Sequence, residues 1–354
     1  MKARCDKLLK KLAESNIDAV IITSGVNRRY FSGFTGSNGV VILTETGRVL
    51  LTDFRYTIQA NQQCAGVCEV REITPTPEKV GAVLSEFGAK RVAFEDWAMT
   101  VVEYNGYSAL PFDFVPSSRD ICSCRIVKDT HEIEMMQKAQ NCADAAFAEL
   151  LKFAKVGMKE TEIRNELDHL MRKFGADENS FDTIVGSGPN GALPHAHPGE
   201  RRIESGDMVV IDFGARVGGY CSDMTRTIAF GTPCDEMLKV YKIVLEAQLK
   251  CLSILRPNMT GSELDLCARD YITEHGYGEN FGHSLGHGFG LEVHEAPSAN
   301  SRSVDLLVPG STITVEPGIY IEDLGGVRIE DDCVLTEDGY IDLAATGKDL
   351  IIIN

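Results

Sequence analysis

Apolar and polar positions over residues 1–122 switch repeatedly between a helical period and short apolar runs. The helical period predicts helices over 7–12 and 77–87. Helices that alternate with strands in this way are typical of an α/β layer structure, so we expect an α/β domain here. The apolar runs predict four strands, at 19–22, 39–43, 48–51 and 91–94.

The sequence changes character around Pro116-Ser117-Ser118, a small polar stretch that indicates a linker. A strand that bears cysteines is expected next, near Ile126. We therefore expect one domain over 1–122 and a second over 123–354. A long helix is expected to begin after Asp129-Thr130, because apolar residues then recur with helical spacing. Its predicted apolar face consists of Ile133, Met136, Ala139, Ala143, Phe147, Leu150 and Ala154.

The second domain contains a faint internal repeat when the chain is compared with itself at an offset of 101 residues. Each copy predicts a long helix, a short connection, a second helix, a glycine and then strands. Two similar halves would give this domain an internal two-fold repeat. The identities are Met158 with Met259, Glu162 with Glu263, and Gly175 with Gly276.

The strands of the first copy carry two aspartates. Two apolar runs flank Gly218-Gly219, a dipeptide that is typical of two-residue hairpin turns. If the hairpin closes on these glycines, Asp212 lies opposite Thr225, and Asp223 lies two residues along on the same face. Backbones at this diagonal spacing are roughly 7–8 Å apart, so the two carboxylates can converge.

The strands of the second copy carry two glutamates, Glu316 and Glu330, which are expected to face one another. Pro317 suggests a bulge or a strand end that spoils their register. Four inward carboxylates would repel strongly unless positive charge lay between them. The ordinary alternative is a hydrated surface face, but the apolar neighbours of these acids argue against it. Divalent cations are the natural counter-charge.

Histidines form two clusters, at 194–198 and 283–294. A structural role is the default for any single histidine, but two tight clusters beside paired acids favour a functional site. Glycines around His287 suit a close approach of the backbone to a bound group. Oxygen-rich coordination with one imidazole favours manganese, iron or cobalt over a structural zinc.

Composition and charge exclude several other classes of protein. The 354 residues are 44% hydrophobic and 25% charged, as in globular chains, and their number suggests two domains. The formal charge of −17 opposes binding to nucleic acid or to anionic membranes. The charged N-terminus does not resemble a secretory signal, and no apolar run is long enough for a membrane span. Eleven scattered cysteines fit a reduced, cytoplasmic protein.

These residues resemble those of the pita-bread metallopeptidase family (M24), in its Xaa-Pro aminopeptidase (aminopeptidase P) and prolidase branch. Segment 283–295 is similar to the signature of that branch, except that Phe289 replaces an aliphatic residue. Segments 30–36 and 52–56 resemble the creatinase/prolidase-type N-terminal domain. The resemblance implies an α/β N-terminal domain, followed by an α+β pita-bread catalytic domain with an internal two-fold repeat. The five matching metal-ligand positions are Asp212, Asp223, His287, Glu316 and Glu330.

The resemblance also implies a cofactor of two divalent metal ions. Manganese is favoured, with cobalt, iron or zinc as alternatives. Asp223 and Glu330 would bridge both ions, and Asp212 would bind one of them. His287 and Glu316 would bind the other ion.

The activity implied by the resemblance is removal of the N-terminal residue from peptides that have proline in second position. Two divalent ions activate a water for attack on the peptide carbonyl. Glu316 would move the proton, and His195 and His294 would act as catalytic and substrate-binding residues. His283 matches a further substrate-binding histidine of the proline-specific branch. Arg328 is expected to contact substrate or hold a ligand carboxylate, with a surface salt bridge as the alternative.

Some alternatives stay open at this point. Aminopeptidase P accepts longer peptides and prolidase cuts dipeptides, and we slightly favour the aminopeptidase P type. The rival from another class is a non-catalytic, partner-binding member of the same fold, which usually lacks several of the ligands. A homodimer is expected from the resemblance. Tyr320 is a candidate to support the site from behind the ligands.

Overall fold

The computed structural model describes all 354 residues, which fall into two compact units, Met1–Arg125 and Ile126–Asn354. This division lies close to residue 122, where the sequence led us to expect a domain boundary. None of the ten helices combines the length and the apolarity that a membrane-spanning segment needs.

The first unit is built on one six-stranded sheet in the order β4-β3-β2-β1-β5-β6. The strands are β1 (Ala19–Ile22), β2 (Val40–Thr44), β3 (Arg48–Thr52), β4 (Glu69–Glu72), β5 (Arg91–Phe94) and β6 (Asp113–Pro116). The helices are α1 (Lys2–Ala13), α2 (Gly25–Ser32), α3 (Thr57–Gln63), α4 (Pro77–Glu86), α5 (Val101–Ser108) and α6 (Ser118–Ser123). The four strands and two helices predicted here are therefore confirmed.

Burial explains why these strands could be recognised in the sequence. Every residue of β1 and β2 is buried, as expected for strands of a sheet that is covered on both faces. Pro77 occupies the first turn of α4, where its missing N–H costs no hydrogen bond. The sheet is mixed. Strand β2 runs antiparallel to β1 and β3, whereas the pairs β3–β4, β1–β5 and β5–β6 are parallel.

The strand expected near Ile126 is wrong. The cysteines of this segment lie in or next to α6, and residues 124–129 form no regular element. Only Ile126 and Val127 are apolar between the charged Arg125 and Lys128, which is too short a run for a strand. The backbone N–H of Lys128 donates a single bond to the carbonyl oxygen of Gly310 (2.8 Å).

The second unit contains four helices in two successive pairs. The predicted long helix is confirmed as α7, and it begins at a capping box formed by Asp129 and Glu132. Most of its predicted apolar face is fully buried. The helices are α7 (Thr130–Phe153), α8 (Glu160–Lys173), α9 (Asp235–Ile254) and α10 (Gly261–Glu274).

The internal repeat is visible in these helices. Helices α8 and α10 have the same length, and the offset of 101 residues superposes their bounds. In both helices the glutamate of the first turn, Glu162 or Glu263, accepts a hydrogen bond from the backbone N–H of the N-cap residue. Gly175 and Gly276 then follow with positive φ angles of 111° and 88°. The matched identities therefore mark equivalent caps.

Several small sheets complete the second unit, with strand orders β11-β10-β7, β20-β12-β9-β8, β13-β14, β15-β18-β19 and β16-β17. The first copy supplies β7 (Glu178–Asn179), β8 (Ile184–Ser187), β9 (Met208–Phe213), β10 (Ala215–Val217), β11 (Tyr220–Cys221) and β12 (Met224–Phe230). The second copy supplies β13 (Gly286–Gly288), β14 (Glu295–Ala299), β15 (Thr312–Val315), β16 (Gly318–Ile321), β17 (Gly325–Arg328), β18 (Asp331–Leu335), β19 (Tyr340–Asp342) and β20 (Ile352–Ile353).

Each copy has its own hydrophobic core. One core joins α7 and α8 to β8, β9 and β12, and the other joins α9 and α10 to strands β15 to β18. In the first core Phe147 of α7 stacks on Phe213 of β9, with ring centroids 5.5 Å apart. Since Phe213 is the neighbour of Asp212, this packing fixes the strand that carries the first predicted ligand.

Candidate metal centre

The first acidic hairpin closes on Gly218-Gly219, as predicted. Both glycines have positive φ angles, 56° and 84°, as a type I′ turn requires. Val217 pairs with Tyr220 across this turn. The turn therefore sets the register of the strands on either side of it.

The predicted placement of the two aspartates is confirmed. Asp212 pairs with Thr225 in the β9–β12 ladder. Asp223 precedes β12 by one residue and is buried. Both carboxylates line the same cavity, because residues of one strand face point the same way.

The two glutamates lie at a break between two antiparallel ladders. The pairing of β15 with β18 stops just before Glu316 and Glu330, and that of β16 with β17 begins beyond them. Pro317 therefore marks the end of a strand, as expected. No extra residue is inserted on either side of the break, so the register is kept, and the expectation that it is spoiled is wrong. The flanking pairs are Val315 with Asp331 and Gly318 with Arg328.

Three of the four acids lie close to His287. One ligand atom from each of Asp223, His287 and Glu330 lies within 4.8 Å of the other two. The Nε2 atom of His287 is 3.7 Å from Asp223 Oδ2 and 3.4 Å from Glu316 Oε1. A cation at this point would have imidazole nitrogen and carboxylate oxygen ligands at hand, a donor set suited to a divalent transition metal.

Asp212 is held from outside the cluster by Arg328. The guanidinium NH2 donates to Asp212 Oδ2 at 2.7 Å, and the arginine side chain is only 4% exposed. The alternative that Arg328 forms a surface salt bridge is therefore wrong, and the expectation that Arg328 holds a carboxylate is confirmed. The other oxygen of Asp212 is buried and has no hydrogen-bond partner, as expected for an atom that would bind a metal.

The electrostatics of the cluster also fit a divalent cation. Burial, reinforced by neighbouring carboxylates, raises the pKa of Asp223 and that of Glu330 well above their ordinary values. Burial likewise raises the pKa of Glu316 to about 8, against the opposing effect of Arg328. Each shift reflects mainly the cost of burying a negative charge away from water, to which repulsion from neighbouring acids adds. Cations of high charge would remove that cost, so the side chains fit the metals that the sequence predicts.

His287 is prepared to act as a ligand. Its Nδ1–H donates to the carbonyl oxygen of Gly288 (3.1 Å), which leaves the lone pair of Nε2 directed at the acids. Burial, together with the neighbouring His294, lowers the pKa of His287 to about 4. The ring is therefore neutral at pH 7, the form that binds metals.

His283 lies in a chain of hydrogen bonds that leads to Asp212. Its Nδ1–H donates to the carbonyl oxygen of Ser284, and its Nε2 accepts from the hydroxyl of Tyr320, each at 2.8 Å. Tyr320 in turn accepts from Arg328 at 2.8 Å, so it supports a predicted ligand, Asp212, through that arginine. Both ring nitrogens of His283 are engaged within the protein, and the ring itself lines the cavity.

The remaining predicted histidines, His195 and His294, line the same cavity. The ring of His294 stands nearly perpendicular to that of His287, with centroids 4.3 Å apart. Burial lowers the pKa of His294, so it is neutral at pH 7. A neutral imidazole keeps one N–H that can donate to a bound molecule.

The cavity itself has a volume of about 610 Å³, within the usual range of about 300–1,000 Å³ for small-molecule sites. All nine predicted site residues line it. Several lining residues were not predicted from the sequence. The internal repeat gives a signal for one of them, Asp182, because the offset of 101 residues aligns it with His283. Those residues include Arg164, Phe181, Asp182, Thr183, Ile184 and Val293.

Asp332, which was not predicted from the sequence, lies behind the centre. Its Oδ2 accepts a hydrogen bond from the backbone N–H of Asp223 at 2.8 Å, and its carboxyl group is fully buried. The available signal was strand alternation, because Asp332 is two residues beyond Glu330 and so points to the same side. Asp332 therefore holds the backbone of a predicted ligand.

The chain belongs to metallopeptidase family M24, whose family model matches residues 134–337. A second family model, the creatinase/prolidase N-terminal domain, matches residues 4–127. The two matches together span nearly all of the chain, as the predicted resemblance does. They confirm an α/β N-terminal domain and a pita-bread metallopeptidase domain, and they make the protein a metal-dependent peptide hydrolase.

Proteins that align with nearly the full length of this chain are named for related activities. The Xaa-Pro dipeptidase of Pyrococcus furiosus is 38% identical over 99% of this chain and 100% of its own length. The solved Xaa-Pro dipeptidase from Bacillus anthracis is 44% identical, covers 99% of both chains and superposes with a TM-score of 0.97. The solved X-Pro aminopeptidase from Thermotoga maritima is 40% identical, covers 96% of this chain and 98% of its own, and has a TM-score of 0.89.

Proposed function

We propose that the protein is a dinuclear metallopeptidase that hydrolyses the bond between an N-terminal residue and a following proline, with Xaa-Pro dipeptides as its preferred substrates. The observation that carries the proposal is that four carboxylates and His287 line one cavity of 610 Å³, with ligand atoms of Asp223, His287 and Glu330 within 4.8 Å of one another. Membership of a metallopeptidase family and two Xaa-Pro dipeptidase relatives support it.

In this proposal five side chains hold two divalent ions. Asp212, Asp223, His287, Glu316 and Glu330 would be the ligands of these ions. When bound, the ions supply a water of lowered pKa as the nucleophile and polarise the peptide carbonyl. Manganese is favoured by the family resemblance, with cobalt, iron or zinc as alternatives; four carboxylates and one imidazole favour manganese, iron or cobalt over a structural zinc.

The chain's own residues would orient the substrate and move protons. Glu316, which accepts a hydrogen bond from Thr314 Oγ1 at 3.1 Å, takes a proton from the attacking water and passes it to the proline nitrogen as the bond breaks. His294 and His195 donate to the substrate oxygen that gains negative charge. His283 presents its ring to the substrate as a wall, because its nitrogens are engaged elsewhere.

Arg328 acts on the reaction through Asp212. Its guanidinium bridges Asp212 and Tyr320, so the carboxylate is held in one orientation. Arg328 also lines the cavity, so a direct contact with substrate would be made by the part of its side chain that faces the cavity. This arrangement assigns Arg328 a positioning role for a ligand in the proposed centre.

The second candidate is an Xaa-Pro aminopeptidase that accepts longer peptides, the type slightly favoured by sequence. A 40% identical structure of an X-Pro aminopeptidase supports it. Two dipeptidase relatives over the full chain now favour the dipeptidase. A non-catalytic, partner-binding role has less support, because all five ligand side chains are present and face one cavity.

A peptide panel with manganese-loaded protein tests the proposal. The dipeptide Ala-Pro should be hydrolysed faster than Ala-Pro-Ala, and Ala-Ala should react slowly. Faster hydrolysis of Ala-Pro-Ala would favour the aminopeptidase, and no turnover of either proline peptide would contradict both candidates. The Glu316→Gln variant should lose about 10²–10⁴ in kcat if Glu316 moves the proton.

We further propose a homodimer in a reducing, cytoplasmic setting. All eleven cysteines are free thiols, which suits a reducing compartment, and the family resemblance supports the dimer. Light scattering coupled to size-exclusion chromatography gives the particle mass. A mass of one chain would contradict the dimer and leave the catalytic proposal untouched.

A further inference from the structure

An ion pair on α10 lies outside the predicted site but next to it. Arg269 and Asp265 are one helical turn apart and form a two-pronged bridge, with Nε to Oδ2 at 2.8 Å and NH2 to Oδ1 at 2.9 Å. The aspartate side chain is fully buried, and that of the arginine is 26% exposed. Such a pair has fixed geometry, because both groups are planar.

The other hydrogen bonds of this pair go to one segment of backbone. Arg269 donates to the carbonyl oxygens of Phe281 and His283, each at 2.9 Å. Asp265 Oδ1 accepts from the backbone N–H of Leu285 at 3.0 Å. The guanidinium also lies over the ring of Phe281, 4.4 Å from its centroid. The pair thus holds alternate residues of segment 281–285.

This segment connects the pair to the metal centre in two ways. It carries His283, whose ring lines the cavity and accepts from Tyr320. The carbonyl oxygen of Leu285 also accepts from the backbone N–H of Glu316 at 2.9 Å. A displacement of the segment would therefore move the His283 ring and loosen the backbone of Glu316.

The first copy of the repeat has a weaker version of the same arrangement. The offset of 101 residues places Asp168 of α8 on Arg269 of α10. Asp168 accepts from the hydroxyl of Thr183 at 2.6 Å, and Thr183 also lines the cavity. In both copies the second helix thus holds a segment that lines the cavity.

We propose that Asp265 and Arg269 are positioning residues that fix segment 281–285, and thereby the His283 ring, at the substrate side of the cavity. The effect on catalysis rests on the proposed function. The effect on the His283 ring does not, because it follows from the contacts alone. The competing interpretation is an ion pair that only stabilises α10.

The main variant is Arg269→Lys, which keeps the positive charge but loses the planar fork. A single ammonium group cannot serve Asp265 and both carbonyl oxygens in the same geometry. Lys242→Gln, which removes one partner of an exposed 3.9 Å pair with Glu246 on α9, is the matched control. Metal content and thermal unfolding are measured on each variant, so that loss of folded or metal-loaded protein is accounted for.

The first readout is the NMR signal of the His283 ring in metal-free protein, identified by its absence in His283→Ala. The signal should shift in Arg269→Lys and stay in place in the Lys242→Gln control. This measurement needs no substrate, so it separates failure of this inference from failure of the proposed function. An unshifted signal in Arg269→Lys would overturn the positioning role.

The second readout is kcat/KM for an Xaa-Pro peptide, provided that the wild type turns it over. Arg269→Lys should lose about 10- to 100-fold, as expected when a contact group moves by about 1 Å. If Arg269 acts through His283, the double variant with His283→Ala should be no worse than His283→Ala alone. Losses that multiply would show that Arg269 acts by a route other than the His283 ring, such as the bond between Leu285 and Glu316, and would contradict the inference.

Discussion

The buried carboxyl of Glu316 predicts that the metal-free protein becomes less stable as the pH rises. Burial raises its pKa from the ordinary 4.5 to about 8. Between these values the folded chain keeps a proton on Glu316 that the unfolded chain has lost. Unfolding therefore releases a proton, so the free energy of unfolding falls with rising pH until about pH 8. Glu316→Gln removes the titrating group while keeping its size.

The size of the effect of Glu316 is worked out over an interval in which His283 and His287 do not titrate. Burial lowers the pKa of His283 and that of His287 from the ordinary 6.5 to about 4. Those histidines add stability with rising pH only up to 6.5, because above it they are neutral in both states. From pH 6.5 to 8 each pH unit costs about 1.4 kcal/mol for Glu316, or about 2 kcal/mol in total.

Urea denaturation with excess chelator, followed by circular dichroism at steps from pH 6.5 to 8, measures this difference. The stability of wild type relative to Glu316→Gln should fall by about 2 kcal/mol across the interval. Other titrating groups occur in both proteins and largely cancel. Parallel stability curves for the two proteins would refute the assignment of a buried, protonated Glu316.

Two further predictions concern buried ion pairs. Arg328→Gln leaves Asp212 buried without its cation and should destabilise the metal-free protein by about 3–5 kcal/mol in urea denaturation. A smaller loss is expected with manganese, because the metal would neutralise Asp212. Equal losses with and without manganese would count against metal binding there. Lys128→Met removes the partner of Glu295 from a 3.0 Å pair with both side chains at most 3% exposed, and should also cost about 3–5 kcal/mol. Adding Glu295→Gln should recover part of that loss, and no recovery would contradict the pairing argument.

The parts of the fold that were predictable from sequence have local causes. The Gly218-Gly219 turn needs positive φ at both residues, and strand alternation then fixes the side of Asp212 and Asp223. The repeat was detectable because equivalent caps use equivalent residues, such as Glu162 and Glu263. These signals depend on neighbours in the chain, so a single sequence contains them.

The parts that escaped prediction depend on contacts between distant residues. The partner of Arg328 lies 116 positions away in the chain, so three interpretations stayed open until the geometry was known. The hydrogen bond of His283 Nε2 likewise depends on Tyr320, which lies 37 positions away in the chain. The erroneous strand near Ile126 came from a two-residue apolar run, for which propensity alone is a weak guide.

The central claim is that the acidic cluster holds divalent ions that the protein uses for hydrolysis. Metal content and Ala-Pro hydrolysis, measured together on each preparation, test it most directly. Asp223→Ala is compared with Asp338→Ala, the same change at an exposed position of the second unit. The wild type and Asp338→Ala should each hold two manganese ions per chain and cleave the peptide, and Asp223→Ala should lose both properties. Full metal content and activity in Asp223→Ala, or a wild type with two bound ions and no turnover, would contradict the claim.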